Sequence, residues 1–170
     1  MKNPISKQVF NHLEYLGYVV EDVSEKENKE NLDFIVGRSE RKSNLLVRVS
    51  KDNTIFISAR YTLSDSNRIV TEKFLNTLNT LNSGSIHTKV FYKENDKKEI
   101  DLIIETIVIN YDKLTLTMII DVLESDIMMY LKNLEEYYSP NPKVNYSQAI
   151  VDELMNTSKE KENMPNRIGF

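Results

Sequence analysis

Between Leu32 and Tyr61 the apolar residues tend to recur at every second position, in the runs LDFIVG, LLVRVS and TIFISARY. The connections between these runs are only RSERKSN and KDN. A period of two is the mark of strands that bury one face. A parallel crossover needs roughly a dozen residues, so connections this short force antiparallel hairpins. The spacing therefore predicts a three-strand antiparallel meander. A second hairpin is predicted from SIHTKVFYK and KEIDLIIETIVIN, joined by the turn-forming ENDK.

Three helices complete the pattern. Asn3-Pro4 is a helix start, because Asn accepts from a free amide of the first turn and Pro at the first position loses no hydrogen bond. Ile5, Val9, Leu13 and Leu16 follow at helical spacing, and Gly17 supplies the left-handed stop. Val70, Phe74, Leu78 and Leu81 form one face of a second helix, ended by Ser83-Gly84. Leu116, Ile120, Leu123, Ile127, Leu131, Leu134 and Tyr138 trace a long third helix that the prolines at 140 and 142 terminate. The stretch EDVSEKENKEN, residues 21–31, has many charges and no apolar period, and reads as an exposed connection. The expected class is α+β, in the order α-β-β-β-α-β-β-α, with a five-stranded antiparallel sheet. Residues 1–139 form this domain, 140–157 a C-terminal helical extension capped by Ser147, and 158–170 a tail.

The 170 residues suit one domain, and no apolar run approaches the roughly eighteen residues of a membrane span. With no secretory leader pattern after Met1, a cytoplasmic protein is expected. No cysteine and only two histidines, His12 and His87, leave little for a metal site or a nucleophilic triad, and neither metal nor cofactor is expected. Four glycines and no glycine-rich loop argue against a phosphate cradle, and a net charge of −4 against nonspecific nucleic-acid binding.

Alternation assigns Phe34, Val36, Leu45, Val47, Val49, Ile55, Ile57, Ala59, Tyr61, Val90, Tyr92, Ile100, Leu102 and Ile104 to the core face of the sheet. The opposite face then carries Ile35, Leu46, Arg48, Phe56, Arg60, His87, Lys89, Phe91, Ile103, Glu105 and Ile107, too apolar for a fully solvated surface. Either the middle helix or the C-terminal helix covers it, or it is a homodimer or partner surface, or both. The candidate surface is Leu46, Arg48, Phe56, Arg60, Phe91, Ile103 and Ile107. Asp101 and Glu105 share that face and are expected to form cross-strand ion pairs, with Lys89 or Arg60, rather than an acid/base pair. Asn79 and Asn82 are expected to fix the end of the middle helix, the cations Arg38, Arg41 and Lys42 to form a solvated hairpin tip, and Met118, Met128 and Met129 to pack mainly in the core.

The element order, the opening HLEYLGY, the junction FLNTLNTLNSGSIHTKVFYKEN with Leu78, Asn79 and Asn82, and the helix DKLTLTMIIDVLESDIMMYLKNLEEY are similar to those of the YbjN family of candidate bacterial sensory transduction regulators. That family shares the fold of type III secretion chaperones. The resemblance covers most of residues 5 to 138 and departs from the family in the charged segment 21–31 and after Pro142. It implies a dimeric protein-binding domain with no catalytic residues. The expectation is a noncatalytic, chaperone-like regulatory protein acting as a homodimer on a protein partner. The alternative is a nucleic-acid accessory protein or small enzyme using Arg48, Arg60, Lys89 and Glu105.

Overall fold

The computed structural model describes residues 3–27, 32–63, 70–134 and 137. In chain order these form α1 (Pro4–Tyr15), β1 (Val19–Asp22), α2 (Ser24–Glu27), β2 (Leu32–Arg38), β3 (Leu45–Ser50), β4 (Thr54–Leu63), α3 (Glu72–Gly84), β5 (Thr88–Glu94), β6 (Ile100–Ile109) and α4 (Lys113–Asn133). The expected C-terminal helix, its Ser147 cap and the tail lie outside the described residues.

The sheet is antiparallel throughout, in the order β1-β2-β3-β4-β6-β5. Six strands, not five, are therefore present among the described residues. The additional one is β1, whose second half, Glu21 and Asp22, lies in the segment expected to be an exposed connection. Its Val19 and Val20 pair opposite Arg38 and Gly37, while Glu21 and Asp22 pair opposite Val36 and Ile35. Acidic side chains on a short edge strand discourage pairing with other chains, which is why a strand hides inside a charged run. The rest of that run contains the single-turn α2.

Local chemistry sets the junctions. Asn3 Oδ1 accepts from the Ile5 amide at 2.8 Å to start α1, while its Nδ2 donates to the Ser50 carbonyl at 2.9 Å. One side chain thus caps the helix and ties it to β3. Gly17 sits at φ 89, the left-handed conformation predicted for it. Tyr18 then lays its ring on Gly37, where an added Cβ would lie 3.3 Å from the ring. The β3–β4 turn places Asn53 at φ 67, tolerable for Asn because its short polar side chain bonds locally.

After β4 the chain runs through α3 to β5 and returns as β6, which inserts beside β4 in a ladder from Thr54↔Ile109 to Leu63↔Ile100. The three long helices pack on one face. Val9 and Leu13 of α1, Phe74, Leu78 and Leu81 of α3, and Leu116, Ile120, Leu123, Ile127 and Tyr130 of α4 are buried there with Val47, Ile55, Ile57, Leu102 and Ile104 of the sheet. Each fully buried aliphatic side chain stabilises by about 1.5–3 kcal/mol.

The expected faces hold for β3, β4, β5 and β6 and are inverted in β2. Ile35 pairs opposite Val47 and lies under the helices. Phe34 pairs opposite Arg48 and Val36 opposite Leu46, on the outer face, where they form a small cluster with Val23. Both sides of β2 are buried, so its apolar run carried no alternation from which a face was readable.

Candidate outer-face surface

All seven candidate residues fall on the sheet face opposite the three long helices. The middle helix α3, expected as a possible cover, packs on the other face, as does α4; the C-terminal helix, the other expected cover, lies outside the described residues. Cross-strand register sets the residues in rows: Phe34, Arg48, Phe56 and Ile107; then Val36, Leu46, Ser58, Glu105 and Lys89; then Arg60, Ile103 and Phe91. Directly opposed side chains on one face lie close enough to touch, so each row is a line of contact. Phe91 is 44% exposed and Ile107 52%, while Leu46, Phe56 and Ile103 are half-buried. Ile109, on the same face, is 76% exposed and extends the apolar surface beyond the residues read from the sequence.

Two ion pairs cross this apolar ground. The Arg48 guanidinium reaches from β3 over β4 to the Glu105 carboxylate on β6, and Arg60 of β4 bonds Asp101 of β6. The small Ser58 stands between Leu46 and Glu105 in its row, which leaves room for the long arginine to pass. Arg48 also lies over the Phe56 ring, 5.1 Å from its centroid, where the negative ring face attracts the cation. Thr62 donates to Asp101 at 2.8 Å, so that carboxylate is held twice although almost wholly buried. Asp101 has the cross-strand pairing with Arg60 expected of it, whereas Glu105 pairs with Arg48 and not with Lys89 or Arg60. Lys89 does something else: it donates to the Asn82 and Ser85 carbonyls at 2.9 and 3.0 Å, completing the end of α3.

The other candidates separate from this surface. His12 is buried between α1 and α4, with Nδ1 3.1 Å from the Tyr111 hydroxyl and Nε2 2.8 Å from Thr117 Oγ1. Burial, and then the Lys113 charge, lower its pKa. His87 is exposed and sits just before β5. Asn82 has the structural role expected of it, clasping Val90 on β5, whereas Asn79 is exposed. At the hairpin tip Arg38 pairs with Glu21 at 2.9 Å, and Lys42 lies over the Tyr18 ring and donates to the Leu16 carbonyl. The methionines depart from expectation. Met118, Met128 and Met129 all point to solvent on α4, and of that helix's Met and Tyr residues Tyr130 alone is fully buried.

Among the described residues no three His, Asp or Glu side chains gather at metal-binding range. No helix among them is long and apolar enough to cross a membrane.

No protein-family model and no curated protein matches the chain. Solved structures that resemble it include the following two. One is YbjN from E. coli, a candidate transcription regulator, with a TM-score of 0.56 at 13% identity over 77% of this chain and 91% of that one. The other is an uncharacterized protein from Methanothermobacter thermautotrophicus, with a TM-score of 0.56 at 14% identity over 79% of this chain and 99% of that one. At such identity the likeness is one of fold: the chain has a YbjN-like α+β architecture.

Proposed function

We propose that this chain is a noncatalytic regulatory protein that binds other protein chains through the outer face of its sheet and works as a homodimer. The observation that carries the reading is the outer face itself, where Phe56, Phe91, Ile103 and Ile107 surround arginines already neutralised by Glu105 and Asp101. Apolar surface of this kind marks contact with another protein. Paired arginines serve a polyanion poorly, because each phosphate would have to compete with a carboxylate held in place. The fold shared with YbjN, itself a candidate transcription regulator, supports a regulatory role.

Light scattering coupled to size exclusion tests this on the full chain, on a version ending at Pro140, and on Phe56→Glu, Phe91→Glu and Ile107→Glu. The expected result is a dimer for both lengths and a shift to monomer with the glutamates. Unchanged oligomeric state and unchanged recovery of protein partners across the three substitutions would remove the face from consideration. Affinity for DNA or RNA with a steep salt dependence would favour the nucleic-acid alternative.

A further inference from the structure

The two ion pairs on the outer face point the same way. Arg48 and Arg60 stand on β3 and β4, and their carboxylates, Glu105 and Asp101, both stand on β6. Each pair is a dipole lying across the strands, and the two are parallel. A surface of one sign laid on this face would meet attraction and repulsion together. A face with the same dipoles reversed would meet attraction only.

From this charge pattern, and resting on the homodimeric reading above, the geometry points to a second copy of this chain as the occupant, stacked face to face about a two-fold axis that runs along the strands between β4 and β6. That operator carries β4 of one copy over β6 of the other and β3 over β5, and sets the two copies' dipoles antiparallel. Sheets packed in this way lie about 10 Å apart with side chains interleaved, and here the apolar contact comes from Phe56 and Ile107 of both copies. An isologous interface requires a self-complementary patch, which two adjacent lanes of opposite charge provide.

The test swaps one dipole within a chain. Arg48→Glu combined with Glu105→Arg keeps an internal pair but reverses its direction. Wild type and the isotope-labelled double variant are mixed, incubated and weighed by native mass spectrometry. Each alone is expected to be dimeric, and the mixed dimer to fall roughly two-fold or more below its statistical share, because only in the mixed dimer do the dipoles lie parallel. A statistical share of mixed dimer would overturn the proposed geometry while leaving the homodimer standing. Should the double variant fail to fold, Ile107→Glu decides: it is expected to be monomeric with a native circular-dichroism spectrum and a cooperative melt that no longer depends on protein concentration, and a dimer as tight as wild type would place the interface elsewhere. A monomeric wild type would remove the homodimeric reading itself.

Discussion

The side-chain amide of Asn82 on α3 mimics a neighbouring strand for Val90 on β5: its Nδ2 donates to the Val90 carbonyl at 2.7 Å and its Oδ1 accepts from the Val90 amide at 2.8 Å. β5 is an edge of the sheet, and these backbone groups would otherwise need solvent or another chain. Asn82→Ala is expected to cost about 1–2 kcal/mol in chemical denaturation, the worth of two hydrogen bonds. The Val90 amide should exchange faster with solvent deuterium. Asn82→Asp keeps the acceptor and loses the donor, so it should fall between the two. Equal stability and equal Val90 exchange for all three would show that the clasp contributes nothing.

His12 predicts a pH dependence of folding. Thr117 Oγ1 donates to the Lys113 carbonyl at 2.9 Å, so towards His12 it accepts, and Nε2 carries the proton. Nδ1 is then the acceptor for the Tyr111 hydroxyl, an arrangement that needs the neutral ring. Burial and the Lys113 charge lower the pKa from its ordinary value of 6.5, so the unfolded chain takes up the proton first. The stabilisation is complete above the unfolded pKa and is lost as pH falls from there through the folded pKa. Urea midpoints should fall between about pH 7.5 and about pH 5.5 in wild type. His12→Gln, which can still donate to Thr117, should be less stable at the higher pH and show a flatter slope. An equal slope in both proteins would exclude His12 as its source.

The outer face was legible because Leu46, Arg48, Phe56, Arg60, Ile103 and Ile107 lie on strands whose opposite faces are apolar at nearly every position, Thr106 being the polar residue among them. Alternation is informative there. It fails in β2, where Ile35 meets the helices and Phe34 and Val36 meet Val23, so both parities look buried. β1 escaped notice because a short edge strand holding Glu21 and Asp22 has the composition of a loop. The partnership of Arg48 with Glu105 was out of reach for another reason. It depends on β6 inserting beside β4, a long-range choice that no local pattern contains. The exposed methionines of α4 show a related limit: helical periodicity places them, but apolar character alone suggested the core.

Ser6 offers a prediction of opposite sign. Its side chain is wholly buried in the first turns of α1, and its hydroxyl has no hydrogen-bond partner among the described residues. A buried hydroxyl without a partner keeps its desolvation cost, and serine is a poorer helix former than alanine. Ser6→Ala is expected to raise stability by about 0.5–1 kcal/mol in urea denaturation. A loss of stability would mean that the hydroxyl is satisfied in solution.

Glu124 on α4 gathers three donors. Its carboxylate accepts from the Ser43 amide at 3.1 Å, the Ser43 hydroxyl at 2.8 Å and the Tyr18 hydroxyl at 3.0 Å, while Tyr61 donates to Ser43 Oγ at 2.9 Å. This pins the loop before β3 to the last helix. Burial raises the Tyr61 pKa to about 12. Burial first, and then the Glu124 charge and hydrogen bond, raise that of Tyr18 further. In a spectrophotometric titration these two phenols should ionise above the ordinary tyrosine value near 10, at the onset of alkaline unfolding. Because both folded pKa values are raised, the fold keeps its protons longer than the unfolded chain, and stability falls as pH rises past the ordinary tyrosine value near 10. Glu124→Gln removes the charge but retains an acceptor, so it should lower the Tyr18 ionisation and cost about 1–2 kcal/mol, less than Glu124→Ala, which strands the Ser43 amide as well. If Glu124→Gln left the late-ionising phenols where they are, the carboxylate would have no part in holding Tyr18 protonated.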